Sequence, residues 1–251
     1  GLYMLEVQNV TKRYDQKIAV DNFSLHIENG EIVGLIGANG AGKSTCLRML
    51  SGVILPDEGS IRYDDRLLKN DMQLRQQLFF FPDELFFFPG ATIKDAASFY
   101  KIFYPSFDTE VFEKLCETFE LSLKTKIVKL SKGMKRQVMM IIGISIRPAY
   151  FILDEAFDGI DSVVKVTFKN ILEKLVSQYN TTVIIASHNI REIEDICRRV
   201  VLMYQSKIIL DSDIEQLKTE AEQNGTDTGL EAILIQKLEG AGYGSKNISF
   251  I

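Results

Sequence analysis

The run "EIVGLIGANGAGKST", Glu31 to Thr45, limits the fold more than any other stretch of this chain. Ile32 to Ile36 is apolar without alternation, the pattern of a strand buried on both faces of a parallel sheet. Gly37, Gly40 and Gly42 follow. They let the loop, with Asn39 and Ala41, turn successive N–H groups inward onto an anion. A helix then opens with Leu47 and Leu50 on its apolar side, and its N-terminus adds the positive end of a dipole. Strand, glycine loop and helix fit G-x-x-x-x-G-K-[ST] in the context that pattern needs. The stretch therefore reads as a cradle for polyphosphate. Lys43 is expected to reach the β- and γ-phosphates, Ser44 to place its hydroxyl on Mg²⁺, and Thr45 to contact the α-phosphate.

A second stretch, "YFILDE", completes this chemistry. A buried strand delivers Asp154 at its end, where a carboxylate can hold the shell of a Mg²⁺ ion. Glu155 follows, a second carboxylate placed to polarise an attacking water.

Apolar runs recur at Tyr150 to Leu153 and Thr182 to Ala186, alternating with helical patterns. Val164, Phe168, Ile171, Leu172, Leu175 and Tyr179 repeat at helical spacing, with Asp161 or Ser162 available as a cap. The alternation argues an α/β fold. "LEVQNVTKRY" and "AVDNFSLHIENG" instead alternate like half-exposed strands, so an antiparallel β-subdomain is expected ahead of the parallel core, with His26 on its surface. From about residue 84 to 148 helices dominate, for example Val111, Phe112, Leu115, Cys116 and Phe119, which reads as a helical subdomain inserted in the core. "RRVVLMYQSKIILDS" has the look of a late hairpin. One domain is expected over 4–223, then a break at "NGTDTG" and a short tail, 224–251, whose Leu230, Ile233, Leu234 and Leu238 call for packing. The three residues ahead of Met4 are set aside as an addition.

Bulk properties narrow the partners. The composition, 46% hydrophobic and 25% charged, is ordinary for a globular protein. A net charge of −5 argues against nucleic acid, which needs a basic face. Cys46, Cys116 and Cys197 are widely spaced and read as free thiols of a reducing compartment. No signal peptide is read. The longest apolar run, Val138 to Ile146, is about half of the roughly 18 residues a membrane span requires, so the chain is expected not to cross a membrane by itself.

"LFFFPDELFFFPG", Leu78 to Gly90, sets two phenylalanine triplets around an acidic turn. Core packing and a docking surface for another protein are both open readings of this stretch.

Together these residues resemble the nucleotide-binding subunit of an ABC (ATP-binding cassette) transporter, in the form of bacterial exporter subunits, over about Met4 to Leu210. The resemblance implies a P-loop NTPase core with a mixed or parallel sheet. It implies that Tyr14 stacks on adenine and that Gly37 to Thr45 is the Walker A loop. "LSKGM", Leu130 to Met134, becomes the signature motif, in which Ser131 and Gly133 grip the γ-phosphate of a partner subunit's ATP. Asp154 and Glu155 become the Walker B acid and catalytic glutamate, Asp158 to Asp161 the D-loop, and His188 the switch histidine, donating to the γ-phosphate. Two positions depart from the family's pattern. Lys132 and Met134 replace Gly and Gln of the signature. Asp83 stands where the family has a Gln that touches Mg²⁺ and the attacking water. Asp83 can still accept from a metal-bound water, and its charge is expected to add to Asp154 and Glu155 in an intact but retuned site. Phe86, Phe87 and Phe88 then lie near the groove that receives the membrane partner, and Phe79 to Phe81 in the sheet core.

The implied function is hydrolysis of ATP with Mg²⁺ to energise transport, export by the look of "LSKGM", through a membrane permease docking near Phe86 to Phe88. The implied assembly is a head-to-tail dimer, with a second copy or a paralogous cassette. The implied location is cytoplasmic, peripheral on the inner face of the membrane. The alternative reading is a soluble ABC ATPase in cofactor assembly, ribosome handling or DNA repair. A catalytically dead cassette is disfavoured by Lys43, Glu155 and His188.

Overall fold

The computed structural model describes residues 4–69 and 71–243. Its centre is strand β3 (Ile32–Ile36), five residues that are all buried. Val33 and Leu35 enter one apolar cluster while Ile32 and Ile36 enter another, so the strand separates two cores. This is the layered arrangement that a continuous apolar run demands. Strands β8 (Thr182–Ser187) and β9 (Arg199–Tyr204) flank β3 in parallel. Strand β7 (Tyr150–Asp154) pairs with β8, and β6 (Leu78–Phe81) with β7, also in parallel. An antiparallel strand, β10 (Lys207–Asp213), closes the other edge, giving the order β10-β9-β3-β8-β7-β6.

A second, antiparallel sheet has the order β2 (Lys17–Glu28), β1 (Met4–Tyr14), β4 (Glu58–Tyr63), β5 (Arg66–Leu67). Strands β1 and β2 are the alternating segments of the sequence. Strands β4 and β5 carry weaker patterns: only Ile61 and Tyr63 of β4 are buried, and β5 is exposed. The inward side of this sheet, with Leu5, Val7, Phe23, Leu25 and Ile27, packs with helix α1 (Lys43–Leu50) in the cluster that holds Val33 and Leu35.

Helices cover the other face. A one-turn helix, α2 (Met72–Arg75), which precedes β6, is the exception, with Leu74 in the cluster of α1. The segment 84–148 carries α3 (Ile93–Phe103), α4 (Thr109–Thr118) and α5 (Lys132–Ile146). Thr92 and Asp95 form a capping box at α3: the Thr92 hydroxyl accepts from the Asp95 N–H (3.1 Å) and the Asp95 carboxylate from the Thr92 N–H (2.9 Å). Helix α5 is buried on nearly every side after its first turn. Gly143 makes this possible, since a Cβ there would sit 2.5 Å from the Phe151 ring and 2.7 Å from that of Phe79.

Asp161 caps α6 (Ser162–Tyr179) and Asn189 caps α7 (Ile190–Ile196). Helix α8 (Ile214–Gln223) leads through the expected break to α9 (Leu230–Gly240). Leu230, Ile233, Leu234 and Leu238 are buried in the same cluster as α7 and β3. The apolar tail residues therefore pack on this chain's own core. Residues 1–3 and the last part of the expected tail, 244–251, lie outside the described residues. Among the described residues no helix is long and apolar enough to cross a membrane.

Candidate active site

The loop after β3 and the ends of β6 and β7 open onto one cavity of about 250 Å³. It is lined by Tyr14, Asn39, Gly40, Gly42, Lys43, Ser44, Thr45, Asp83 and Glu155, together with Lys17 and Ala19. Residues from five separate segments thus meet where the parallel strands end. Ligands of open α/β sheets bind at this end of the strands.

The loop geometry explains its glycines. Gly42 has φ +104 and caps α1, and a Cβ on it would collide with the Ala19 carbonyl oxygen. At Gly37 a Cβ would meet the Met203 carbonyl. The Lys43 ammonium donates to the carbonyls of Gly37 and Ala38, the second at 3.2 Å, so the side chain folds back over the loop. Tyr14 ends β1, half-exposed, with the Lys12 ammonium 5.8 Å from its ring centre.

Asp154 is 2% exposed at the end of β7. Its carboxyl accepts a hydrogen bond from the Ser44 hydroxyl, yet Oδ1 has no hydrogen-bond partner. Burial pushes its pKa up to about 6, helped by Asp83 and Glu155 and opposed by Ser44 and Lys43. Burial likewise holds Lys43 below its ordinary value, against the attraction of Glu155 and Asp154. Both shifts favour the neutral forms, so desolvation outweighs the attraction between these groups. An orphaned buried carboxylate oxygen beside a hydroxyl is the donor set that a Mg²⁺ ion takes when it keeps water and phosphate as its other ligands. The residues present therefore fit that ion.

Glu155 follows with φ +49, a left-handed backbone that costs a non-glycine residue about 1 kcal/mol or more. Three hydrogen bonds hold it there. Its N–H donates to the Ala186 carbonyl (2.9 Å), and its own carbonyl accepts from Nη1 of Arg136 (2.7 Å) and from the Asp158 N–H (3.2 Å). His188 reaches Glu155 from the turn after β8, with Nδ1 3.0 Å from Oε2. That turn is fixed by Ser187, whose hydroxyl donates to Glu192 (2.9 Å) and accepts from the Asn189 N–H (3.0 Å).

Nη2 of Arg136 donates to the Asp83 carbonyl (2.7 Å) and to its Oδ1 (2.9 Å), and the guanidinium lies 5.7 Å from the Phe81 ring centre. One side chain of α5 thus joins the ends of β6 and β7.

Comparison with known proteins decides the family. The family model described as ABC transporter matches residues 20–158. The ABC transporter ATP-binding protein YtrB of Bacillus subtilis (strain 168) is 31% identical over 217 residues, 86% of this chain and 74% of that protein. This chain belongs to the ABC transporter family. The linearmycin resistance ATP-binding protein LnrL of the same organism is 31% identical over 82% of this chain and 68% of its own length. A solved ATP-binding subunit of an ABC transporter superposes with a TM-score of 0.83 at 22% identity, covering 93% of this chain and 99% of that one. A dimeric ATP-binding cassette in a post-hydrolysis state with ADP and Pi gives 0.75 at 21% identity, covering 83% and 98%. The chain is thus an ATP-binding cassette with the ATPase fold of its family.

Not every residue named from the sequence of this ABC ATPase lines the cavity. Gly37, Ala41, Asp154 and His188 are not part of its lining: Gly37 packs on Met203 and Ala41, Asp154 is buried against Ser44, and His188 bonds Glu155. Ser131 caps α5, its hydroxyl accepting from the Met134 N–H (3.1 Å). Gly133 lies against the D-loop, where a Cβ would collide with the Gly159 carbonyl. Lys132, which replaces a signature glycine, pairs with Asp158 at 2.8 Å. Phe79 and Phe81 are core. Phe86 and Phe88 are exposed and in edge contact, but Phe87 turns inward and packs on the core. Sequence reading missed Lys17, Ala19, Glu192 and Arg136. Arg136 gave no signal of its own, standing between Lys135 and Gln137 in the polar first turns of α5.

Proposed function

We propose that this chain binds ATP in the cavity between the Gly37–Thr45 loop and Glu155, hydrolyses it to ADP and phosphate, and so energises a separate membrane-spanning subunit. The observation that carries the reading is the meeting of the loop and Glu155 at one cavity, with Asp154 buried against Ser44 of that loop and one of its oxygens unpartnered. Tyr14 stacks on the adenine. The loop N–H groups and Lys43 bind the phosphates, which calls for Lys43 to leave its own loop carbonyls. Ser44 and Asp154 hold Mg²⁺, which neutralises phosphate charge when bound. Asp83 lies at the edge of this set, close enough to raise the proton affinity of Asp154. Glu155 takes the proton of the attacking water, and His188 holds Glu155 in place.

Two chains pair head to tail in this reading, each giving Ser131 and Gly133 to the other's nucleotide; the partner is a second copy or a paralogous cassette. The exposed Phe86 and Phe88 support a permease docking beside them. The names of the relatives support transport outward: besides the resistance protein, the lipopolysaccharide export system ATP-binding protein LptB of Haemophilus influenzae is 29% identical over 87% of this chain and 94% of its own length. The cassette then sits peripherally on the cytoplasmic face, one domain over 4–223 with 84–148 as its helical insert. Turnover of ATP by the full chain, with and without Mg²⁺, tests the reading. Hydrolysis that is indifferent to Mg²⁺ would count against it.

A further inference from the structure

Arg136 is 1% exposed, among the largest fully buried side chains described, and stands on the first turns of α5. A guanidinium taken out of water has to find acceptors. Arg136 finds three on two chain segments: the carbonyl of Glu155, the carbonyl of Asp83 and Oδ1 of Asp83. Its Nε has no hydrogen-bond partner, so these bonds and the Phe81 ring are what compensate it.

The two segments differ in kind. Asp83 begins the turn that leaves β6 for the helical insert. Glu155 carries the carboxylate that faces the cavity. Its backbone is strained, and its N–H is held by Ala186 of the sheet. Its carbonyl accepts from the Asp158 N–H of its own turn (3.2 Å) and, at a shorter distance, from Arg136 of the insert (2.7 Å). Beside the Asp158 and His188 contacts, the bond from Arg136 is the one that couples Glu155 to the position of α5 and the Asp83 turn. The Asp83 carboxylate is also engaged by a buried cation, so its charge is balanced before any metal is considered.

We propose that Arg136 is a positioning residue that ties the Asp83 turn to the backbone of Glu155, so that the insert of each chain aims the water-polarising carboxylate of that same chain. Asp83 acts in this tie as the counter-charge of Arg136. A lysine cannot replace the arginine, because a single ammonium lacks the planar fork that reaches both segments at once. The inference rests on the ATPase reading above.

The test is ATP turnover by the full chain as wild type, Arg136→Lys, Asp83→Asn and the double variant, with thermal unfolding as a check on folding. Arg136→Lys should lower kcat at least ~10-fold, in the range of lost general-base alignment, with KM for ATP within about threefold. Asp83→Asn should lower kcat by less, at an unchanged half-saturating Mg²⁺ concentration. The double variant should fall no further than Arg136→Lys, since the counter-charge of Asp83 acts only through the fork that lysine lacks. Wild-type kcat in Arg136→Lys, or losses that multiply in the double variant, would overturn the tie. A large rise in the Mg²⁺ requirement of Asp83→Asn would overturn it too, by making Asp83 a metal ligand. If Arg136→Lys does not fold, Asp83→Asn decides: a lowered kcat at unchanged Mg²⁺ requirement supports the tie, and an unchanged kcat ends it. Lack of turnover in the wild type is a separate failure, which removes the ATPase reading and the tie together.

Discussion

Nδ1 of His188 lies 3.0 Å from Oε2 of Glu155. An ionised carboxylate can only accept, so this bond needs the proton on Nδ1. The neutral ring then presents Nε2 as an acceptor. Donation from Nε2 to a γ-phosphate, as the family resemblance implies, requires either the doubly protonated ring or release of Glu155. His188 and Glu155 are thus one unit, oriented by the Ser187–Glu192 hydrogen bond behind them.

Glu155→Gln should reduce ATP turnover at least ~10²-fold, the usual contribution of a general base, while ATP binding by equilibrium titration stays near wild type. His188→Ala should cost about tenfold or more alone, and little when added to Glu155→Gln, because groups acting as a unit are not additive. Independent, multiplying losses would separate the two roles.

The raised pKa of Asp154, about 6, fixes a pH dependence of stability. The unfolded carboxyl titrates near 3.9. Between these values the folded state binds more protons than the unfolded one, so stability falls as pH rises through the window and levels off above it. Asp154→Asn removes this effect. Urea unfolding from pH 4 to 7 should show the wild type losing ground to Asp154→Asn by up to about 3 kcal/mol, all of it below about pH 6.5. A wild type that instead loses ground to Asp154→Asn as pH falls would reverse the sign and refute the assignment of burial as the cause.

The loop glycines should separate by mechanism. Gly40 has φ +83 with nothing within 4 Å of a Cβ, so Gly40→Ala meets backbone strain alone, about 1 kcal/mol. Gly42→Ala meets strain at φ +104 and the Ala19 carbonyl as well, and should cost at least about 2 kcal/mol and most of the nucleotide affinity. Thermal unfolding and nucleotide titration of the two proteins would show the contrast. Equal effects would mean that β2 yields around Ala19.

Phe86 is 71% exposed and Phe88 50%, whereas Phe87 packs on the core. Phe86→Ser with Phe88→Ser should therefore leave unfolding within about 0.5 kcal/mol of wild type per site, yet lose any membrane partner in co-purification. Phe87→Ser should lower stability by more than about 1 kcal/mol. A stable Phe87→Ser, or a partner retained by the first pair, would move the docking surface elsewhere.

Much of this was legible in the sequence. Ile32 to Ile36 stands in the structure with the bounds its apolar run gives, because a strand buried on both faces leaves no ambiguity of side. The loop, Asp154 and Glu155 were legible for the same reason, being the polar ends of apolar strands. Strands β4 and β5 were not: a strand that buries only Ile61 and Tyr63 has too little pattern to read. Arg136 was hidden because a basic residue beside Lys132 and Lys135 looks like part of a solvated face. Only the fold shows that this one turns inward. The charge of Asp83 was legible, but not its partner, which lies 53 residues away in the chain.

Helix α9 bears on how this chain can be handled. A chain cut after Gln223 loses Leu230, Ile233, Leu234 and Leu238, and bares the part of α7 on which α9 packs. Such a fragment keeps every residue of the nucleotide cavity, so it can retain catalytic parts and still be adhesive. Self-association of a shortened protein would then report a wounded core, not the pairing of two cassettes around ATP. Hydrodynamic measurements of assembly belong on chains that keep α9.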